Sequence, residues 1–112
     1  MLELKTTPFL KRAKKFNLKH DLFYEDAIVL KHLKSTKMAI LSDKTPHGLR
    51  MEFEDFPYFG IWAAKNAPFV CLEPWCGIAD SVNTNQQLIE KEGINKLESG
   101  GSFEKTWMIE MF

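Results

Sequence analysis

The chain has 112 residues, 45% of them hydrophobic, with nine Phe and three Trp, a composition that suits one folded domain and excludes a disordered chain. Fifteen basic and fifteen acidic side chains cancel, so no net field recruits nucleic acid or an anionic membrane. No apolar run reaches membrane-spanning length, and the N-terminal MLELKTTPFLKRAKK lacks the apolar stretch and small-residue cleavage site of a secretory signal, so a cytoplasmic protein is the expectation.

In chain order, segment 5–19 carries Lys5, Lys11, Arg12, Lys14, Lys15 and Lys19 without an acid. It reads as a solvated surface rather than a nucleic-acid arm, because no stacking aromatics are interleaved in a repeated pattern. His20 to Asp26 suits a short turn. Five short apolar or alternating segments follow, at Ala27 to Leu30, Met38 to Ser42, Leu49 to Phe53, Tyr58 to Trp62 and Pro68 to Glu73, and each reads as a strand. Turn material separates them, notably Lys44 to Gly48 and Lys65 to Ala67. Asn85 to Glu92 has room for a helical turn or two. After the turn at Leu97 to Gly101, Ser102 to Phe112 alternates, with Phe103, Lys105, Trp107, Ile109 and Met111 on one side. Because apolar residues occupy both faces toward its end, this last strand is expected to be covered on both sides. The fold class is therefore all-β, built of antiparallel sheets.

The stretch with most chemistry is Ala67 to Ser81, APFVCLEPWCGIADS. Phe69 to Leu72 leads directly into Glu73, and Pro74, having no N–H to donate, is expected to stop the ladder. That places a carboxylate where a strand opens into a loop beside Trp75, the kind of lining that small-molecule clefts commonly have. A carboxylate half-buried among Phe69, Leu72 and Trp75 is a candidate proton shuttle; the plainer alternative is a strand-end Glu facing water. Cys71 and Cys76 have neither redox nor zinc spacing and read as reduced structural thiols. No glycine-rich phosphate loop occurs, and the His and Cys spacing supplies no metal site.

Phe56-Pro57-Tyr58-Phe59-Gly60-Ile61-Trp62, then Ala67 to Ser81, then Lys91-Glu92-Gly93-Ile94, resemble successive C-terminal motifs of the aldose 1-epimerase (galactose mutarotase) family, in particular its LacX-like branch. His20 to Phe23 and Asp26 to Val29 resemble the segment that precedes them. The resemblance covers roughly residues 18 to 112, leaving 1–17 poorly matched, so the whole chain would be one partial domain, the C-terminal part of a galactose-mutarotase-like β-supersandwich. It implies a cofactor-free reaction in which the α and β anomers of an aldose interconvert. Glu73 matches the family's general base, which takes the proton of the sugar's C1 hydroxyl while a His protonates the ring oxygen. Asp26 falls where the family places an Asp that bonds sugar hydroxyls, although a turn role is equally open to it. Trp62 and Trp75 could offer faces to the sugar or be core aromatics, and Asp80 could line the site or cap a turn.

Members of that family are well over twice this length, and their acid His, a second His and an Arg lie in an N-terminal part without a counterpart here. His20, His32 and His47 do not occupy matching positions. Three readings follow. The missing groups come from a complementary N-terminal half, on another chain or in a longer parent, and the chain alone is inactive as an isomerase; or the chain is a non-catalytic carbohydrate-binding or assembly module; or it is a truncated remnant prone to self-association. A monosaccharide is the expected ligand.

Overall fold

The computed structural model describes residues 14–112. Of the basic segment 5–19, positions 5–13 lie outside the described residues, while Lys14, Lys15 and Lys19 are exposed. After a 3₁₀ turn at His20–Phe23, six strands follow: β1 (Ile28–Lys31), β2 (Lys37–Leu41), β3 (Gly48–Glu52), β4 (Tyr58–Trp62), β5 (Cys71–Trp75) and β6 (Met108–Met111). The expected helical turns between Asn85 and Glu92 reduce to a 3₁₀ turn at Leu88–Glu90. The molecule is all-β, with one antiparallel sheet in the order β1-β4-β5 and a second in the order β2-β3-β6.

Alternation decides what each sheet buries. On the first sheet Ile28, Leu30, Phe59, Ile61 and Leu72 share one face, because Ile28 lies opposite Ile61, Leu30 opposite Phe59 and Ile61 opposite Leu72. On the second, Met38 opposes Met51 and Ile40 opposes Leu49. These two faces meet. Met51, Phe53, Phe59, Ile61 and Ala63 form the buried centre, joined by Phe23 from the first turn, with Ile28, Leu30, Met38, Leu49, Val70 and Leu72 packed around it. Phe53 and Phe59 join the sheets directly, their ring centroids 4.4 Å apart.

Three strand expectations need correction. Pro74 does not stop β5; it lies within the strand, opposite Phe59. Since β5 is at the sheet edge, a residue without an N–H is tolerated there. The last strand is shorter than Ser102 to Phe112, and all four of its residues are exposed rather than covered on both sides. The core ends before reaching it: Ile109 is 44% exposed and Met111 81%.

Candidate functional site on the outer face of the first sheet

The side of the first sheet that turns away from the core carries the candidate chemistry. Strand register sets Lys31, Tyr58 and Trp75 in one row, Val29, Gly60 and Glu73 in the next, and Trp62 with Cys71 in a third. Directly opposed residues of antiparallel strands share a face, so these rows form a single surface. Glu73 is thus in the middle of β5, not at its end, and the Leu72 expected beside it faces the core instead.

Glu73 and Trp75 are both half-buried. The Trp75 indole Nε1–H donates to Glu73 Oε2 across 3.1 Å, which fixes one carboxylate oxygen and, among the described residues, leaves the other without a hydrogen bond. The indole lies across Gly60: a Cβ built there would fall 2.6 Å from Trp75 Cζ2. Only glycine lets the ring approach the sheet this closely.

The loop after β5 closes one end of this surface. A Cβ at Gly93 would fall 2.8 Å from Tyr58 Oη, and Gly93 has φ +75°, a left-handed conformation that favours glycine. Asn95 Nδ2 donates to the Cys76 carbonyl at 2.9 Å and to that of Gly93 at 3.2 Å, tying the loop to the end of β5. Lys31 Nζ reaches Glu92 Oε1 at 2.6 Å, linking β1 to the same loop.

Of the residues singled out in the sequence, Glu73, Trp62 and Trp75 come together on this face. Trp62 stands edge-on to Phe69, with ring centroids 6.0 Å apart. Asp26 and Asp80 do not lie on its strands. Asp26 is exposed just before β1, and its Oδ1 accepts the Ala27 N–H at 2.6 Å, a turn-type role. Asp80 borders a separate depression of about 260 Å³ formed by residues 79–92, where it faces Lys91 at 3.6 Å. Glu92 borders that depression too, so its bridge to Lys31 connects the depression with the Glu73 face.

Tyr58, Gly60 and Lys31 were not singled out as site residues. The period of two through Tyr58, Gly60 and Trp62 was a usable signal, since a glycine inside a strand marks a close approach. The histidines stand elsewhere: His20 in the first 3₁₀ turn, His32 just after β1 and His47 between β2 and β3, all exposed. Cys71 and Cys76 are free thiols, half-buried. Among the described residues no group of His, Cys, Asp and Glu gathers as a metal site, and no helix is long and apolar enough to cross a membrane.

Compared with known proteins, the chain is similar to the chromosomal and plasmid forms of Protein LacX from Lactococcus lactis subsp. lactis, each 40% identical over 92 residues. The alignment takes in 81% of this chain but 31% of each relative, so the chain spans about a third of the proteins it matches. No protein-family model matches it, and no solved structure does.

Proposed function

We propose that this chain carries the general-base face of an aldose 1-epimerase-like mutarotase, with Glu73 as the base. The observation that carries the reading is a half-buried carboxylate on a sheet face that also carries Tyr58, Trp62 and Trp75, oriented by the Trp75 indole. The order of the motifs from Phe56 to Ile94, and the 40% identity to the two LacX proteins, support it.

In this reading Glu73 removes the proton of a pyranose C1 hydroxyl while a separate acid protonates the ring oxygen. The C1–O5 bond breaks to give the open-chain aldehyde, C1–C2 rotates, and reclosure returns both protons and forms the other anomer. Base and acid must stand on opposite sides of the sugar. No histidine of the described residues lies on β1, β4 or β5, so the histidine acid of that reaction would come from polypeptide outside this face. Trp62 and Trp75 offer ring faces to the sugar's C–H surface, with Asp26, just ahead of β1, and Asp80, in the separate depression, as candidate partners of its hydroxyls.

A positioned acid contributes about 10²- to 10⁴-fold, so the chain alone should convert anomers slower by at least that factor than a site holding both groups, while still binding monosaccharide weakly. Titration with an aldose, followed at the Trp75 indole N–H, should shift that resonance, and Glu73→Gln should reduce the shift. An indole resonance indifferent to every aldose tried would sink the assignment of this face.

The lack of a histidine on the strands of this face favours a second reading, a non-catalytic carbohydrate-binding module. It predicts that Glu73→Gln leaves sugar affinity nearly unchanged.

A further inference from the structure

Among the described residues the second sheet ends in an edge strand with one side unpaired. β6 is the terminal strand in the order β2-β3-β6, and its bonding pattern can be read from its end. Gly48 N–H donates to the Phe112 carbonyl at 2.7 Å and Phe112 N–H to the Gly48 carbonyl at 3.0 Å. In an antiparallel ladder such bonded pairs alternate with unbonded ones. Arg50 with Glu110 and Glu52 with Met108 are therefore bonded pairs, whereas Leu49 with Met111 and Met51 with Ile109 are not. The N–H and C=O groups of Ile109 and Met111 consequently point away from β3, toward the open edge.

The side chains on that edge are apolar and uncovered. Trp107 is 51% exposed, and Ile109 and Met111 extend the inner face of the sheet past the end of the core. Protected edges usually carry lysines, prolines or inward charges. Here Met108–Met111 has a single charge, Glu110, and Arg50 on β3 already pairs with it.

We propose that β6 pairs antiparallel with β6 of a second copy of this chain, about a two-fold axis at Ile109. The two three-stranded sheets then become one continuous sheet. Charge and bonding select this register. A two-fold edge pairing must keep inner faces together, so each residue meets one of its own parity. Centring on Glu110 sets two carboxylates opposite each other in a close unbonded pair, which is unfavourable. Centring on Ile109 sets Ile109 against Ile109, Trp107 against Met111 and Met108 against Glu110. Every outward N–H and C=O of Ile109 and Met111 then meets a partner, and the inner row stays apolar across the axis. Centring on Met108 instead pairs Met111 with Lys105, whose Nζ already donates to the Asp55 carbonyl at 2.7 Å.

Sedimentation of the purified chain over a wide concentration range tests this. A dimer is expected, and Ile109→Lys and Met111→Glu should each return it to monomer with an unchanged circular dichroism spectrum. Ile109→Pro removes an N–H that serves no bond among the described residues, so it should also give a folded monomer. With Cys71→Ser and Cys76→Ser in the background, Ile109→Cys should crosslink on oxidation, because bonded antiparallel pairs stand at ~5.5 Å between Cα atoms, and Glu110→Cys should not. A chain that is monomeric at all concentrations overturns the proposal, as does one that pairs only with a different polypeptide. A dimer that survives all three edge substitutions, or an oxidised Glu110→Cys that crosslinks as well as Ile109→Cys, overturns it equally.

Discussion

At the scale of single residues, the geometry of the candidate site depends on a missing side chain. Trp75 can place its N–H on Glu73 because Gly60, opposite Glu73, has no Cβ to hold the indole away. Gly60→Ala should lift the ring, break the 3.1 Å bond and cost about 1–3 kcal/mol through overpacking, read by urea denaturation and by movement of the Trp75 indole resonance. Trp75→Phe separates the two effects. It keeps an aromatic body over the strand and deletes the donor, so it should cost about 1 kcal/mol and free the carboxylate to rotate. If Gly60→Ala left both stability and the indole resonance unchanged, the ring would not be seated on this glycine. Glu73 and Trp75 were legible in the sequence because APFVCLEPWCG puts an acid beside aromatics. Their mutual bond was not: it depends on both side chains sharing one face of a strand, and the expected strand ended at Glu73.

At the scale of elements, the strands that the sequence defined best are those whose two faces differ most in polarity or size. β4 appears at Tyr58–Trp62 as expected, since large aromatics and a glycine alternate with a fully apolar inner row. β5 was misplaced toward its N-terminus because a proline inside a strand argues against pairing, and the edge position that excuses it is a property of the sheet, not of the segment. β6 shows the opposite failure. Its apolar residues predicted cover on both sides, but cover depends on how far the first sheet extends, which no local pattern records. The energetic contrast between elements can be tested. Phe59 is fully buried, touches Phe53 and links the sheets, so Phe59→Ala should cost about 3–5 kcal/mol. That is a large part of the stability of a typical domain, about 5–15 kcal/mol. Leu88→Ala, at a site 71% exposed in the 3₁₀ turn, should fall within about 0.5 kcal/mol. Similar losses from both in matched chemical denaturation would mean that the inter-sheet core is not where folding energy resides.

At the scale of the whole molecule, two small sheets enclose a core that ends at β3, while Trp107, Met108, Ile109, Met111 and Phe112 remain largely exposed beyond it. A fold of this kind should draw stability from whatever buries that edge. If a second copy does so, unfolding becomes dissociation, and stability rises with protein concentration by mass action. A tenfold increase is worth about 1.4 kcal/mol per dimer. With an unfolding entropy of ~2.1 cal/mol/K per residue, the thermal midpoint should climb by about 3 °C per decade of concentration. Ile109→Lys should flatten this dependence and lower the midpoint of concentrated samples toward that of dilute ones. Salt distinguishes the cause. The ion pairs of Lys37 with Glu52 and Arg50 with Glu110 are partly or largely exposed and weaken as screening shortens to ~3 Å at molar ionic strength. An edge joined by backbone hydrogen bonds and apolar side chains does not. The concentration dependence should therefore persist in molar sodium chloride, and its disappearance there would assign the association to surface charge instead of to β6.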